Sequence, residues 1–286
     1  MADPKSLLLA ALLLSTLGFI AFWFRYARLR NQPAAPDATR LGIGFVTNFF
    51  DTLGIGSYAT TTTMYRFWRI VDDEHIPGTL NVGHTMATVA QALIYITIVQ
   101  VDFSTLFLLI VSAVAGAWLG ASVVSALPKR QIQMGMGGAL LAAALLMAMT
   151  ALNLFPGGGE AVALAGGKLV VGCALNFLLG ALMSLGIGLY APCMIMISLL
   201  GMNPTAAFPI MMGSCAFLMP VGSAEFIRKG KYDLRAALGL AVGGVPAVLI
   251  AAYVVKSLPL VWVRWLVVVV VVYAGTSLFR AASRRA

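Results

Sequence analysis

Residues 53–59 read Leu-Gly-Ile-Gly-Ser-Tyr-Ala, and residues 185–191 read Leu-Gly-Ile-Gly-Leu-Tyr-Ala. They lie inside apolar segments, 41–70 and 166–200, so each puts two glycines in the middle of a hydrophobic helix. Glycine there lets the backbone turn or lets another backbone come close. The copies stand 132 positions apart, and two further matches nearly keep that spacing: Val101-Asp102 with Tyr232-Asp233, and Leu127-Pro128 with Leu258-Pro259. Three matches in one order predict a duplicated chain. Repeat 1 covers 41–153 and repeat 2 covers 170–280; 154–169 is a linker loop, and 1–40 and the basic tail 281–286 lie outside both.

The chain is 60% hydrophobic and only 10% charged, with a mean hydropathy of +0.94. An ordinary soluble domain is about a quarter charged. This chain has too little polar surface to cover itself in water, and lipid is the solvent that fits. Crossing a bilayer takes runs of about 20 apolar residues. The clearest are Ser6–Phe24, Phe103–Leu127, Ala236–Val255 and Leu260–Phe279, with further segments at 80–100, 131–153 and 205–227. The expected class is an all-α polytopic membrane protein.

The net charge of +9 does not point to nucleic acid, because the basic residues fall in short clusters between apolar runs. Cys173, Cys193 and Cys215 sit in apolar stretches without a CxxC pair, which excludes a disulfide framework or zinc site. Arg25, Arg28 and Arg30 follow the first apolar run where a cleavage site would stand in a signal peptide, so that run is read as a retained helix.

The Lys/Arg rule places the clusters Arg25–Arg40, Arg66/Arg69, Lys129/Arg130, Arg228/Lys229/Lys231/Arg235 and Arg280/Arg284/Arg285 in the cytoplasm. The loops around Val101, Phe155 and Met202 then face outward. Segment 41–70 starts and ends inside, and segment 166–200 starts and ends outside, so both double back as hairpins. Lys168, Lys256 and Arg264 dissent from this pattern. With one helix before them, each repeat is a re-entrant or broken-helix hairpin plus three transmembrane helices. An odd number of crossings inverts the second repeat relative to the first, as in secondary transporters. The N-terminus is expected in the periplasm and the C-terminus in the cytoplasm of a bacterial inner membrane. The alternative is nine plain crossings.

Broken helices inside a membrane must be buried in protein or line a wet cavity, and their free N–H groups suit an anion. The candidate shell is Asn48, Asp51, Gly54, Gly56, Ser57, Tyr58 and Thr60 from the first segment, and Ser184, Gly186, Gly188 and Tyr190 from the second. The competing reading is that the glycines only allow tight helix packing. Asp51 is an acid in the membrane, a costly choice that marks it for function: it carries a coupling proton, binds a cation or pairs with a base. His84, with Thr85, Thr88 and Gln91 beyond it, either donates to an anion and relays a proton or is a helix-end histidine satisfied by backbone. Ser214 and Cys215 hold the corresponding place in the second repeat. Glu225 reads as a surface partner of Arg228 or Lys229, and Asp72-Asp73-Glu74-His75 as a solvated loop rather than a metal site. Trp23, Trp68, Trp262 and Trp265 read as interfacial anchors. No cofactor motif or metal signature is present in the sequence, and ATP-driven transport by this chain is unsupported.

The paired motifs at Leu53–Ala59 and Leu185–Ala191, Pro204, the Ser214/Cys215 region, the aspartate turns at Asp102 and Asp233 and the closing Leu-Pro pairs together resemble the TauE/SafE sulfite-exporter family over 41–280. The resemblance implies secondary movement of sulfite, sulfonates or related small anions, and a homodimer. Many members carry a richer glycine run; here Tyr58 and Tyr190 interrupt it, which leaves the particular anion open. A passive anion channel of the same architecture and an intramembrane enzyme built on Asp51 and His84 are the alternatives.

Overall fold

The computed structural model describes residues 3–29, 35–154, 158–253 and 261–283. Among these the chain folds into helices α1 (Pro4–Leu29), α2 (Ala38–Thr52), α3 (Ser57–Phe67), α4 (Ile76–Ile98), α5 (Phe103–Val124), α6 (Lys129–Ala151), α7 (Gly166–Met183), α8 (Tyr190–Leu199), α9 (Ala207–Lys229, led by a 3-10 turn at Pro204–Ala206), α10 (Leu234–Tyr253) and α11 (Val261–Ser283). Among the described residues, α1, α5, α6, α7, α9 with its leading turn and α10 are long and apolar enough to cross a bilayer. α4 is of similar length, but Asn81, His84, Gln91 and its threonines make it polar, and these three side chains are buried. Large apolar side chains instead face outward, among them Leu14 and Phe24 on α1, Trp118 and Val123 on α5 and Val170 on α7. Apolar outside and polar inside is the arrangement that lipid selects. The chain is a multi-pass membrane protein.

Both glycine stretches break a helix. Gly54 and Gly186, at matched positions of the two motifs, have φ of 89° and 90°, and Gly56 has 88°; a side chain at these positions would be strained. Both segments double back. Tyr65, late in α3, donates its hydroxyl to the Ala236 carbonyl at the start of α10 (3.3 Å), and Arg40, early in α2, packs against Gly239 one turn further along. Lys168, early in α7, donates to the Leu200 carbonyl at the end of α8 (3.0 Å). A cation on a helix's last carbonyls is favourable, which accounts for a lysine that the charge rule left unexplained.

The two hairpin mouths lie at opposite ends of α4. At its start, Thr79 accepts the Asp233 N–H (2.9 Å) beside the first mouth. Beyond its end, Asp102 donates its N–H to the Val162 carbonyl (2.9 Å) and Thr105 accepts the Leu164 N–H (3.0 Å), just ahead of α7. The tips do not meet end on but pass each other. Tyr95 of α4 reaches the Thr52 carbonyl at one tip (3.2 Å), and Asn81 reaches the Met183 carbonyl at the other (3.4 Å). Those two positions are about 20 Å apart along the helix at ~1.5 Å per residue. The reason is length: the 15 residues of α2 span about 22 Å, well past the middle of ~30 Å of hydrocarbon.

Small residues let the hairpins seat closely. A Cβ on Gly44, Gly239 or Gly243 would strike backbone or side-chain atoms across the α2–α10 contact, and one on Gly116, Gly120 or Gly180 would strike backbone across α5–α7. The matched aspartate turns prove to be helix caps: Asp102 accepts the Thr105 N–H (2.8 Å) and Asp233 the Ala236 N–H (2.7 Å).

Two sequence expectations need correction. Trp23 is 3% exposed and packs against Phe19, ring centroids 5.7 Å apart, in a core cluster; α1 packs against the bundle, so this face is not interfacial. Asp73 is not solvated: it pairs with Arg66 and accepts from Gln133 Nε2 (2.6 Å), tying α3 to α6. Glu225 does pair with Lys229 (3.0 Å). Arg30, Lys256, Leu258-Pro259, Arg284 and Arg285 lie outside the described residues, as do the side chains of Trp262 and Arg264.

Candidate functional site

α4 is the polar spine on which both hairpins converge. Its position 84 carries a fully buried histidine with both ring nitrogens engaged: Nδ1 lies 2.9 Å from Asn48 Oδ1 on α2, and Nε2 lies 3.0 Å from Thr61 Oγ1 on α3. Asn48 spends its amide N–H on the Gly44 carbonyl (2.7 Å), so its oxygen faces the ring. Nδ1 therefore carries the proton and Thr61 donates to Nε2, the neutral tautomer. The Tyr58 ring stacks on this imidazole at 5.7 Å. His84 thus clamps both limbs of the first hairpin to α4.

Two turns further along α4, Gln91 joins the two hairpins. Its Nε2 donates to Asp51 Oδ2 and to Thr52 Oγ1, each at 2.9 Å, and its Oε1 accepts the Tyr190 hydroxyl at 2.5 Å. Thr52 spends its own proton on the Asn48 carbonyl (2.8 Å). Asp51, Gln91 and Tyr190 are 3%, 0% and 6% exposed. Ser57, at the start of α3, also faces the Asp51 carboxyl, and Tyr58 and Cys215 share the neighbourhood. Among the described residues no lysine or arginine is bonded to Asp51. The burial of an acid among amides and hydroxyls fits an exchangeable proton better than a fixed ion pair.

The N-cap residues of α3 and α8, Gly56 and Leu189, provide no side-chain cap; the leading N–H groups of a helix have no acceptor within it, and at α3 the Asp51 carboxyl faces the first of them, on Ser57. The two starts come together: a Cβ on Gly188 would lie 3.7 Å from the Tyr58 Cβ. Into this region the fold also brings the hydroxyls of Tyr58 and Thr62, both buried without a hydrogen-bond partner. These two unpartnered hydroxyls and the leading N–H groups of α8 are donors from which a small oxyanion can accept.

Of the remaining candidates, Thr60 turns its hydroxyl back to the Ser57 carbonyl (2.8 Å) and Thr85 to the Asn81 carbonyl (2.6 Å). Ser184 reaches the Ala117 carbonyl (3.4 Å) on α5. Ser214 accepts from Asn176 Nδ2 (3.0 Å), which also donates to the Leu109 carbonyl (2.7 Å). That asparagine on α7 mirrors Asn48 on α2, each bonding a polar side chain of the span that follows its hairpin. Asp51 and His84 share no hydrogen bond; each binds its own partners. Among the described residues no group of three His, Cys, Asp or Glu side chains is placed to hold a metal.

Three participants were not singled out from sequence. Gln91 stands in the sequence only as one of the polar residues beyond His84; its signal is a glutamine seven residues, two helical turns, from that histidine. Thr61 and Thr62 lay hidden in a run of four threonines, where sequence gives no reason to prefer one hydroxyl over another.

The family model for the sulfite exporter TauE/SafE matches residues 2–147. No curated protein and no solved structure matches the chain. The family match covers just over half the sequence, and the chain belongs to the TauE/SafE sulfite exporter family of membrane transporters.

Proposed function

We propose that the chain is a secondary transporter that exports sulfite, an organosulfonate such as sulfoacetate, or a related small anion across a bacterial inner membrane by alternating access, with Asp51 carrying a coupling proton. The observation that carries this reading is the convergence of two broken-helix starts, α3 and α8, whose N-cap residues Gly56 and Leu189 provide no side-chain cap, on a buried centre supplied with hydroxyls. Amide N–H groups at the ends of broken helices are how many transporters hold anionic substrates. In this reading the anion rests near Gly54–Ser57 and Gly186–Tyr190, with Tyr58 and Tyr190 as donors and Asn48, Thr60, Thr85, Ser184, His84 and Ser214 in or around the shell.

Alternating access needs two halves that exchange roles, and the packing supports such a division at 41–153 and 170–280. Under the correspondence of α2–α6 with α7–α11, α2 on α10 exchanges with α5 on α7, and α4 on α10 with α5 on α9, while α4–α9 and α6–α11 pair with themselves; all six are major contacts. A symmetric scheme of this kind, with mouths at opposite ends of α4, is what inverted repeats produce. Basic residues support the orientation. Arg66, Lys229, Lys231 and Arg235 gather around the first mouth, and Arg228 lies over Phe22 near the end of α1. By the positive-inside rule that end is cytoplasmic, which puts the N-terminus in the periplasm and the C-terminus in the cytoplasm. A homodimer is part of the proposal.

Flux into proteoliposomes, measured with sulfite, sulfoacetate, sulfate, thiosulfate and carboxylates, tests it. The expected result is saturable uptake of a sulfur oxyanion that responds to a pH gradient. Uncoupled conductance in bilayers would make the protein a channel instead. Asp51→Ala should lose pH-driven flux before it loses anion binding; unchanged pH dependence in that variant would remove Asp51 from the coupling.

A further inference from the structure

We infer that Gln91 is a reversible relay that converts protonation of Asp51 into a free hydrogen-bond donor, the Tyr190 hydroxyl, at the anion's resting place. The inference rests on the anion-transport reading above and adds to it the residue that links proton and anion.

The argument follows from which groups can donate. An ionised Asp51 accepts only, and Thr52 has already given its proton to the Asn48 carbonyl. The NH2 edge of Gln91 serves both at 2.9 Å, with Ser57 and the Tyr190 hydroxyl also facing the Asp51 carboxyl. The amide's oxygen is then forced toward Tyr190, whose only proton is spent on it at 2.5 Å. Tyr190 has nothing left to offer an anion.

Protonating Asp51 reverses every link. The new carboxyl O–H needs an acceptor, and Gln91 presents one by turning its terminal amide over. Thr52 turns its proton from the Asn48 carbonyl to the same oxygen. The NH2 edge now donates to the Tyr190 oxygen, and the Tyr190 proton is released from Gln91, on a hydroxyl that Thr88 of α4 also faces. One proton enters from water and stays on Asp51; no other covalent bond changes. When the proton leaves, the amide turns back and Tyr190 is withdrawn, which loosens the anion. Anion and proton are thereby bound and released together, so export in this scheme runs down the anion's own gradient and carries a proton out with it.

The titratable groups around this chain are Tyr58 from α3, His84 and Tyr95 from α4, Cys193 from α8 and Cys215 from α9. α10, packed on the other side of α2, brings Arg235, bonded to the Ala35 carbonyl at the opposite end of α2, and Tyr253, which is exposed. None of these hydrogen-bonds Gln91.

The test is sulfite affinity of the purified full chain over an acid-to-alkaline series, for wild type, Gln91→Met and Tyr190→Phe. Dividing each variant by wild type at the same pH cancels the titration of sulfite itself. Gln91→Met leaves Tyr190 permanently free, so it should bind about tenfold tighter than wild type in alkali and equally in acid. Tyr190→Phe should match wild type in alkali and fall about tenfold below it in acid, the worth of one hydrogen bond to a charged group. Ratios that do not change with pH would overturn the relay while leaving the transporter reading intact. No sulfite binding by wild type at any pH would remove that reading as well. Infrared difference spectra of wild type provide a second readout should Gln91→Met fail to fold. A tyrosine C–O band that shifts with acid, and disappears in Tyr190→Phe, is expected; no such band would refute the switch.

Discussion

Gly42 and Gly44 lie two residues apart on α2 and should respond to alanine in opposite directions. A methyl on Gly42 meets no atom within 4 Å, because that face of the helix is exposed. The substitution there should gain roughly 0.5–1 kcal/mol from helix preference alone. A methyl on Gly44 would lie 2.8 Å from the Leu240 Cα and 3.0 Å from the Gly239 carbonyl carbon, with the Gly239 oxygen nearer still. Carbon pairs rest at about 3.5–4.0 Å, so α2 and α10 must part by about 1 Å. The obstructing atoms are all backbone, and no rotamer change relieves them. Overpacking of this kind costs about 1–3 kcal/mol. The two variants should therefore differ by about 1.5–4 kcal/mol, with Gly44→Ala the weaker. The displacement also acts on the site, since Asn48, one turn on, holds His84. Thermal unfolding in mild detergent, followed by tryptophan fluorescence, reads the difference as several degrees. Equal melting of the two variants, or a more stable Gly44→Ala, would show that the hairpin is not seated against α10 as described.

Asn176→Ala removes bonds to the Leu109 carbonyl and the Ser214 hydroxyl in a buried setting, and denaturant unfolding should show a loss of about 1–3 kcal/mol. Arg66 and Asp73 pair where each side chain is only 15% exposed, so a double-mutant cycle with Arg66→Gln and Asp73→Asn should give a coupling of roughly 1 kcal/mol; additive effects would make the contact incidental. Asp37 caps α2, and the Arg40 backbone N–H that it accepts holds its carboxyl below the usual carboxylate range. Because that shift is downward, the cap is in place at neutral pH and is lost as pH falls through the lowered value. Hydrogen exchange in the first turn of α2 should quicken in acid, and Asp37→Asn, which keeps an acceptor without titrating, should abolish that response.

Much of the fold is legible in local sequence because each decisive feature is local. The α2–α3 and α7–α8 breaks fall on the two Leu-Gly-Ile-Gly motifs, whose glycines take the positive φ that a break requires. The aspartates at 102 and 233 cap helices through a partner three residues on. Candidate residues such as Asn48, Asp51, Tyr190 and His84 stand out because polar groups in an apolar span are costly. Their partnerships are a different matter. Gln91 meets Tyr190 across 99 positions and Asn176 meets Leu109 across 67, and only the depth of each hairpin decides such pairings. The overlap of the tips follows from limb lengths that a repeat boundary does not reveal. Trp23 misled for a related reason: its place near a span end suggests lipid headgroups, but α1 packs that face on the bundle.

The most direct measurement places the anion itself. Selenite is a heavier stand-in for sulfite, and its selenium is visible by anomalous scattering in crystals of the full chain. The account requires a single peak between the starts of α3 and α8, within hydrogen-bond reach of Tyr58 and Tyr190, that disappears when sulfite is added in excess. A peak elsewhere in the bundle, or none in protein that still carries sulfite across vesicles, would contradict it.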